Sequence, residues 1–177
     1  MKRFAALFEA LDRTTKTNEK TAALAHYFRS APEADRVWTI ALFSGRRPKR
    51  LVNATELRQW AAEAAGLPLW LVEESYTVGG DLAETIARIL PPPEAERDES
   101  LDSLLRALIG LAGQPEAVRR EFVLTAWRGM DSDARFLFNK LLTGGFRMGV
   151  SQGLMVRALA EATGHDVASL AHRLMGN

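Results

Sequence analysis

Residues 101–112 of this chain read LDSLLRALIGLA, and the spacing of the apolar side chains in this stretch decides the fold class. Leucines recur there at intervals of three and four residues, as one buried stripe of an α-helix requires. Stripes with the same spacing fall within residues 21–28, 134–142 and 155–160, and no stretch alternates polar and apolar residues as a β-hairpin does. The sequence therefore predicts an all-α fold.

Local start signals place the helices. Asn53 stands three residues before Glu56, which is the spacing of a capping box, and Asp131 and Ser151 each precede an apolar stripe. Residues 37–43, VWTIALF, fit either a short buried strand or a helix that is buried on all sides. We predict about ten short helices in two packed halves, with a last one near 166–175. The ten lie at roughly 2–13, 18–30, 33–43, 54–65, 68–77, 81–90, 100–112, 115–127, 132–143 and 152–163.

The clearest break in composition is the run of three prolines at 91–93 with the charged residues 94–99 behind it. Because proline cannot continue a helix and the charges favour water, this segment predicts an exposed connection. We expect one helical domain over residues 1–177, made of halves at about 1–90 and 100–177 that the Pro-rich loop 91–99 joins.

Composition excludes several classes of protein. The chain has 177 residues, of which 47% are hydrophobic and 25% charged, as in folded globular domains. It contains no cysteine, which excludes disulfides, zinc–thiolate sites and thiol nucleophiles. No apolar run reaches the roughly 20 residues that a membrane helix needs, so we expect a cytoplasmic protein.

The net charge of +1 hides a strong asymmetry along the chain. Residues 1–50 contain 11 Lys or Arg against 5 Asp or Glu, whereas residues 51–130 contain 7 against 13. Of the 23 basic residues 18 are arginine, whose planar guanidinium suits phosphate groups. This composition fits a polyanionic partner, although codon usage alone also produces Arg-rich and Ala-rich chains.

No complete set of catalytic residues is present. The histidines at 26, 165 and 172 are isolated from patterned carboxylates, and neither a phosphate-binding loop ending in Lys-Ser/Thr nor a Gly-x-Ser-x-Gly motif occurs. We therefore expect no catalytic residue, no metal site and no cofactor in this chain.

Four segments instead suit phosphate groups. Residues 44–50, SGRRPKR, place four cations in five positions around a proline, and such a loop can neutralise several phosphates. Residues 143–152, TGGFRMGVSQ, lead through three glycines into a helix start, where free N–H groups face an anion. Residues 76–84 and 14–20 also lead into helix starts. Each segment has an ordinary interpretation as well, as a solvated loop, a helix–helix turn or a helix cap.

As an ordered set, these segments resemble the N-terminal DNA-binding domain of bacterial ATP-dependent DNA ligases. The resemblance runs through TNEK at 17–20, LFSGRRPKR at 42–50, ESYTVGGDLAET at 74–85 and LLTGGFRMGVS at 141–151. It implies an all-helical domain that lies along the minor groove of nicked double-stranded DNA and holds the backbone on both sides of the break. Such a domain binds without sequence preference, in DNA replication, repair or recombination.

The resemblance also implies partners and cofactors outside this chain. The parent ligase would seal nicks with ATP and Mg²⁺, and this domain would cooperate with a nucleotidyltransferase domain and an oligonucleotide-binding barrel. The family's reaction starts at the lysine of a Lys-x-Asp-Gly motif, and none of the five lysines here is followed by that pattern. We therefore expect a monomeric fragment or truncated product that lacks the catalytic domains and is inactive alone.

Arg147, Arg46, Arg47, Lys49 and Lys20 are the first candidates for phosphate contacts. The full candidate set for DNA binding is Thr17, Lys20, Arg46, Arg47, Lys49, Arg50, Gly79, Gly80, Gly144, Gly145, Arg147, Gly149, Ser151 and Gln152.

Two other interpretations stay open. A helical protein–protein interaction module without DNA binding would use some of the tryptophans on a partner surface, although tryptophan more often belongs to the core. These tryptophans are Trp38, Trp60, Trp70 and Trp127. A stand-alone enzyme would have to show turnover, for instance a covalent adenylate formed with ATP.

Overall fold

The computed structural model describes residues 1–166 and residue 168, and this part of the chain contains ten α-helices and no β-strand. In chain order the helices are α1 Lys2–Arg13, α2 Thr17–Ser30, α3 Glu33–Phe43, α4 Ala54–Ala65, α5 Leu69–Gly79, α6 Leu82–Ile89, α7 Leu101–Gly110, α8 Glu116–Arg128, α9 Ser132–Thr143 and α10 Gln152–Thr163. The prediction of an all-α fold is confirmed. The helix predicted near residues 166–175 lies outside the described residues.

The helix boundaries follow from local capping. Asn53 begins α4 with a complete capping box, because its Oδ1 accepts the N–H of Glu56 (2.8 Å) and its own N–H donates to Glu56 Oε1 (3.3 Å). Asp131 and Ser151 likewise accept the N–H of the third residue after them. Helices α4, α9 and α10 end at glycines in the left-handed conformation, Gly66, Gly144 and Gly164.

Residues 37–43 are helical, and they are not buried on all sides. Val37 is 62% exposed, whereas Thr39 and Phe43, on the opposite side of α3, are buried. The buried side is fixed by the hydroxyl of Thr39, which donates to Tyr27 Oη (2.8 Å). Phe43 adds a stacked contact with Phe4, with ring centroids 5.8 Å apart.

The chain divides into two compact units, and the division does not follow the Pro-rich segment. Unit 1 comprises residues 1–46 and 147–177, and unit 2 comprises residues 47–146. The predicted halves at 1–90 and 100–177 are therefore not the packing units, because helices far apart in sequence pair: α2 with α10 in unit 1, and α6 with α9 in unit 2.

The Pro-rich segment is held inside unit 2. Glu94 and Arg97 donate their backbone N–H groups to the carbonyls of Arg128 (3.1 Å) and Gly129 (2.8 Å). These bonds fasten the segment to the turn after α8, so it is not a free connection between two bodies.

Unit 1 is built on aromatic packing. The ring of Phe4 lies edge-on to Tyr27 and stacks on Phe43, and Leu24, Phe28 and Met155 are buried with them. Burial raises the pKa of Tyr27 to about 12, although the hydrogen bond that its oxygen accepts from Thr39 acts in the opposite direction.

Unit 2 has a leucine-rich core that contains buried polar links, one of which joins three helices. Trp127 Nε1 donates to Asn139 Oδ1 (2.8 Å), and Asn139 Nδ2 donates to the carbonyl of Ala83 (3.1 Å). This link ties α8, α9 and α6 together in a fixed register, since a buried amide left unpaired would be costly. Within the described residues, no helix has the length and apolar content needed to cross a membrane.

Candidate nucleic-acid interface

Helix α3 ends in a tight turn that leads into the cationic segment, which we define as residues 46–50. Gly45 has a φ of +93°, and this left-handed conformation lets the N–H of Arg46 donate back to the carbonyl of Ala41 (3.0 Å). Pro48 then prevents the chain from continuing as a helix. Arg46 belongs to unit 1, and residues 47–50 belong to unit 2.

The four cations of this segment point into solvent. Arg46, Arg47, Lys49 and Arg50 are all exposed, and none of them forms an ion pair with a carboxylate in the part of the chain that the structure describes. Other arginines of the chain do form such pairs, on Glu84, Asp102, Glu56 and Glu63. The cationic segment therefore offers its full charge to an external anion.

The glycine-rich segment 143–152 connects α9 to α10. Gly144 adopts a φ of +71°, which ends α9, and the N–H of Gly145 closes the turn on the carbonyl of Lys140 (2.9 Å). Phe146 is buried and anchors the segment, while Arg147 is exposed.

The start of α10 has unoccupied donors. The hydroxyl of Ser151 accepts the N–H of Leu154 (3.2 Å), whereas the N–H groups of Gln152 and Gly153 donate to no acceptor among the described residues. Both residues are exposed. Together with the positive end of the helix dipole, these donors suit an anion such as phosphate.

In unit 1 the glycine-rich segment contacts the end of α3, which leads into the cationic segment. The N–H of Val150 donates to the carbonyl of Phe43 (3.4 Å), which joins the chain before α10 to the end of α3. Beside this contact lies a groove of about 560 Å³, with Ser44, Arg46 and Gln152 among its polar lining residues. Apolar side chains form the rest of the lining: Val37, Ile40, Ala41, Phe43, Val150 and Met155.

The start of α2 lies at the same end of unit 1 as the start of α10. The two helices pack closely, and Arg29, near the end of α2, donates to the carbonyl of Glu161, near the end of α10 (2.9 Å). Because their last turns meet, the helices run in the same direction and their first turns share an end. Thr17 and Lys20, in the first turn of α2, are not among the residues that line the groove.

Unit 2 gathers three further candidate positions. A side chain at Gly144 would begin 3.6 Å from the Cβ of Arg50, and the N–H of Leu51 donates to the carbonyl of Leu142 (2.9 Å). Lys140, near the same end of α9, places its Nζ 2.8 Å from Oδ2 of Asp81. Asp81 follows the candidate residue Gly80 in the sequence.

The start of α6 already holds an anion of its own. Burial raises the pKa of Asp81, but hydrogen bonds from Lys140 and from the N–H groups of Glu84 and Ala83 outweigh it and hold the pKa below its ordinary value. This charged carboxylate caps α6 and occupies the donors that a phosphate would need. The structure thus accounts for Gly79 and Gly80 as a turn: Gly80 has a φ of +82°, and a Cβ at Gly79 would lie 2.9 Å from Thr85 Oγ1.

Some predicted positions come together and others do not. Arg46 and Gln152 line one groove in unit 1, and Arg50 and Gly144 are neighbours in unit 2. The geometry adds two residues that sequence reasoning left out of the candidate set. The first is Ser44, whose position next to the cations can be read from the sequence. The second is Gly153, whose N–H is free because it lies in the first turn of a helix.

The comparisons with known proteins fit this arrangement. The described residues form an all-α fold with exposed cations on its loops, and they contain no group of three or more His, Asp or Glu side chains that could hold a metal ion. The chain belongs to the family described as DNA ligase N terminus, whose model matches residues 1–160. It is also similar to a "Probable DNA ligase" of Koribacter versatilis (strain Ellin345), with 25% identity over 189 aligned residues that cover all of this chain. The chain spans 32% of the length of that relative.

Proposed function

We propose that this chain binds nicked duplex DNA through its backbone phosphates, without reading the base sequence. It does so as the N-terminal domain of an ATP-dependent DNA ligase that seals nicks in replication, repair or recombination. The observation that carries the proposal is the cationic segment, where four exposed side chains lack carboxylate partners among the described residues. Membership of the DNA ligase N terminus family supports it.

The chemistry of the segment favours phosphate over bases. Guanidinium and ammonium groups on an exposed loop neutralise phosphates and release condensed counterions, and this release drives binding that is independent of sequence. Free N–H groups at the start of α10 add contacts of the same kind, since a helix start recognises charge and not base edges.

The reaction itself would belong to the longer protein. We propose that the parent ligase uses ATP and Mg²⁺ and that its nucleotidyltransferase and oligonucleotide-binding domains are partners of this domain. The Lys-x-Asp-Gly motif is absent from this sequence, so the chain alone should form no covalent adenylate when it is incubated with ATP and Mg²⁺. Mass spectrometry of the intact protein checks this directly, and an added adenylyl group would contradict the assignment.

A salt titration tests the DNA-binding proposal. Fluorescence anisotropy with a labelled duplex should give a log–log slope against salt of about −4, because each neutralised phosphate contributes roughly −0.9. Duplexes of unrelated sequence should bind alike. An absence of binding at low salt, or affinity that hardly changes with salt, would remove the proposal.

Comparison of a nicked with a continuous duplex tests the finer part of the proposal. We expect the nicked duplex to bind more tightly, since the backbone must be held on both sides of a flexible break. Equal affinities would restrict the function of this chain to binding duplex DNA in general.

A further inference from the structure

Helix α5 exposes apolar side chains that the rest of the described chain does not cover. Among the described residues, six large hydrophobic side chains are exposed, and three of them lie on this one helix. They are Leu69 at 38%, Trp70 at 65% and Val78 at 85% exposure. Only Val72 of α5 is buried, although most of the helix is apolar.

The geometry of the helix separates its two faces. Val72, Ser75 and Tyr76 lie on the side that packs against α4 and α6. Trp70 lies on the other side, with Glu73, Glu74 and Thr77 following at the i+3, i+4 and i+7 spacings that place residues on one face. Tryptophan is among the side chains most often found as anchors of protein interfaces.

The charges on this face indicate which kind of binding partner it suits. Glu73 and Glu74 are exposed, and neither forms an ion pair within the described part of the chain, where α5 itself carries no cation. Two carboxylates without an ion pair repel DNA phosphates and anionic lipid headgroups, although Arg88 of α6 lines the same pocket as Glu74. They also disfavour a symmetric pair of copies through this face, because the glutamates of both copies would be brought together.

We propose that the outer face of α5 docks a second protein, through a surface on which an apolar side chain is flanked by lysine or arginine. Trp70 and Leu69 supply the apolar contact, and Glu73 and Glu74 pair with the cations of the partner. This surface does not depend on the proposed DNA binding.

Synthetic peptides of equal length provide the probe. One is an amphipathic Leu/Arg helix, the second carries Glu in place of Arg, and the third carries Ser in place of Leu. In anisotropy measurements on the 177-residue chain, the Leu/Arg peptide should bind about tenfold more tightly than either of the others. Trp70→Ala should weaken it by about tenfold, and E73Q/E74Q should weaken it several-fold at low salt.

Matched variants keep the test decisive. Ile109→Ala removes another exposed apolar side chain of unit 2 and should leave peptide binding unchanged. Thermal melting by circular dichroism should show that Trp70→Ala still folds, because its side chain is largely exposed. Equal binding of the Leu/Arg and Ser/Arg peptides, or of wild type and Trp70→Ala, would overturn the proposal. Two further results would also overturn it. One is a concentration-dependent dimer that Trp70→Ala abolishes, and the other is binding to vesicles of phosphatidylcholine and phosphatidylglycerol that Trp70→Ala abolishes.

Discussion

Arginine has two different environments in this molecule. On the helices of unit 2 it is paired: Arg88 with Glu84 (2.6 Å), Arg106 with Asp102 (2.9 Å) and Arg119 with Glu56 (3.0 Å). In the cationic segment 46–50 the same side chain is exposed and has no carboxylate partner among the described residues. A net charge of +1 therefore says little about binding, because the availability of each cation depends on its local partners.

The largest effect is expected from removing the unpaired cations. The variant R46A/R47A/K49A/R50A should bind duplex DNA roughly 100-fold more weakly at low salt, since up to four phosphate contacts are lost. The slope of the salt titration should become less steep by up to about 3.6, at roughly 0.9 for each contact. Anisotropy titrations of wild type and variant measure both quantities.

A charge-matched pair of variants sharpens the comparison. R46A/R47A and R88A/R106A each remove two positive charges, but only the first removes unpaired ones. Affinity should fall for the first variant and change less than about twofold for the second, because exposed paired cations contribute little. Equal losses would mean that DNA binding responds to total charge and not to the cationic segment.

The next largest effect is on stability and concerns an arginine that is paired with a carboxylate. Arg119 donates from both ends of its guanidinium to Glu56 and also to the carbonyl of Leu51 (3.0 Å), and both charged side chains are only 17% exposed. Arg119→Ala should lower the free energy of unfolding by about 2 kcal/mol, because hydrogen bonds of charged groups are lost. Urea denaturation measures this, and the salt slope of DNA binding should not change.

The same pair predicts a pH dependence. The hydrogen bond from Arg119 holds the pKa of Glu56 below its ordinary value of 4.5. Because the pKa of Glu56 is lower in the folded state than in the unfolded state, its carboxylate stabilises the fold above pH 4.5. This contribution is lost as the pH falls through the pKa of Glu56 in the folded state. Urea midpoints should thus drop more steeply below this pH in wild type than in Arg119→Ala, and parallel curves would contradict the assignment.

Helix positions were predictable from sequence because their signals are local. Asn53, Asp131 and Ser151 cap the helices that their spacing indicates, since a side-chain cap needs only residues three positions away. The division into units was not predictable, because it depends on the pairing of α2 with α10, and the apolar stripes of these helices do not specify their partner.

The candidate site was predictable only in part for a similar reason. The cations at 46–50 and the helix start at Ser151 are visible in the sequence, but their local partners are not. Periodicity could not show that Asp81 is held by Lys140, or that Trp70 is exposed while Trp60 and Trp127 are buried. Each of these facts depends on which helix packs against which.

A smaller effect concerns the turn that supports Arg50. Gly144 has a φ of +71°, so Gly144→Ala should lower the free energy of unfolding by about 1 kcal/mol through backbone strain. Gly149→Ala is the matched control, because Gly149 has no positive φ and a Cβ there would meet nothing within 4 Å. Its stability should change by less than about 0.5 kcal/mol. Similar urea midpoints for the two variants would contradict the role of the left-handed turn.

The smallest effect isolates a single backbone donor. Gln152 is the first residue of α10, where proline is tolerated, so Gln152→Pro removes one free N–H and keeps the helix. Duplex affinity should fall by roughly threefold, in line with the modest energy of a charge at a helix end. Gln152→Ala keeps the N–H and serves as the control. If both variants lose the same affinity, the amide side chain binds DNA and the helix start does not; if neither loses any, the cationic segment acts without α10.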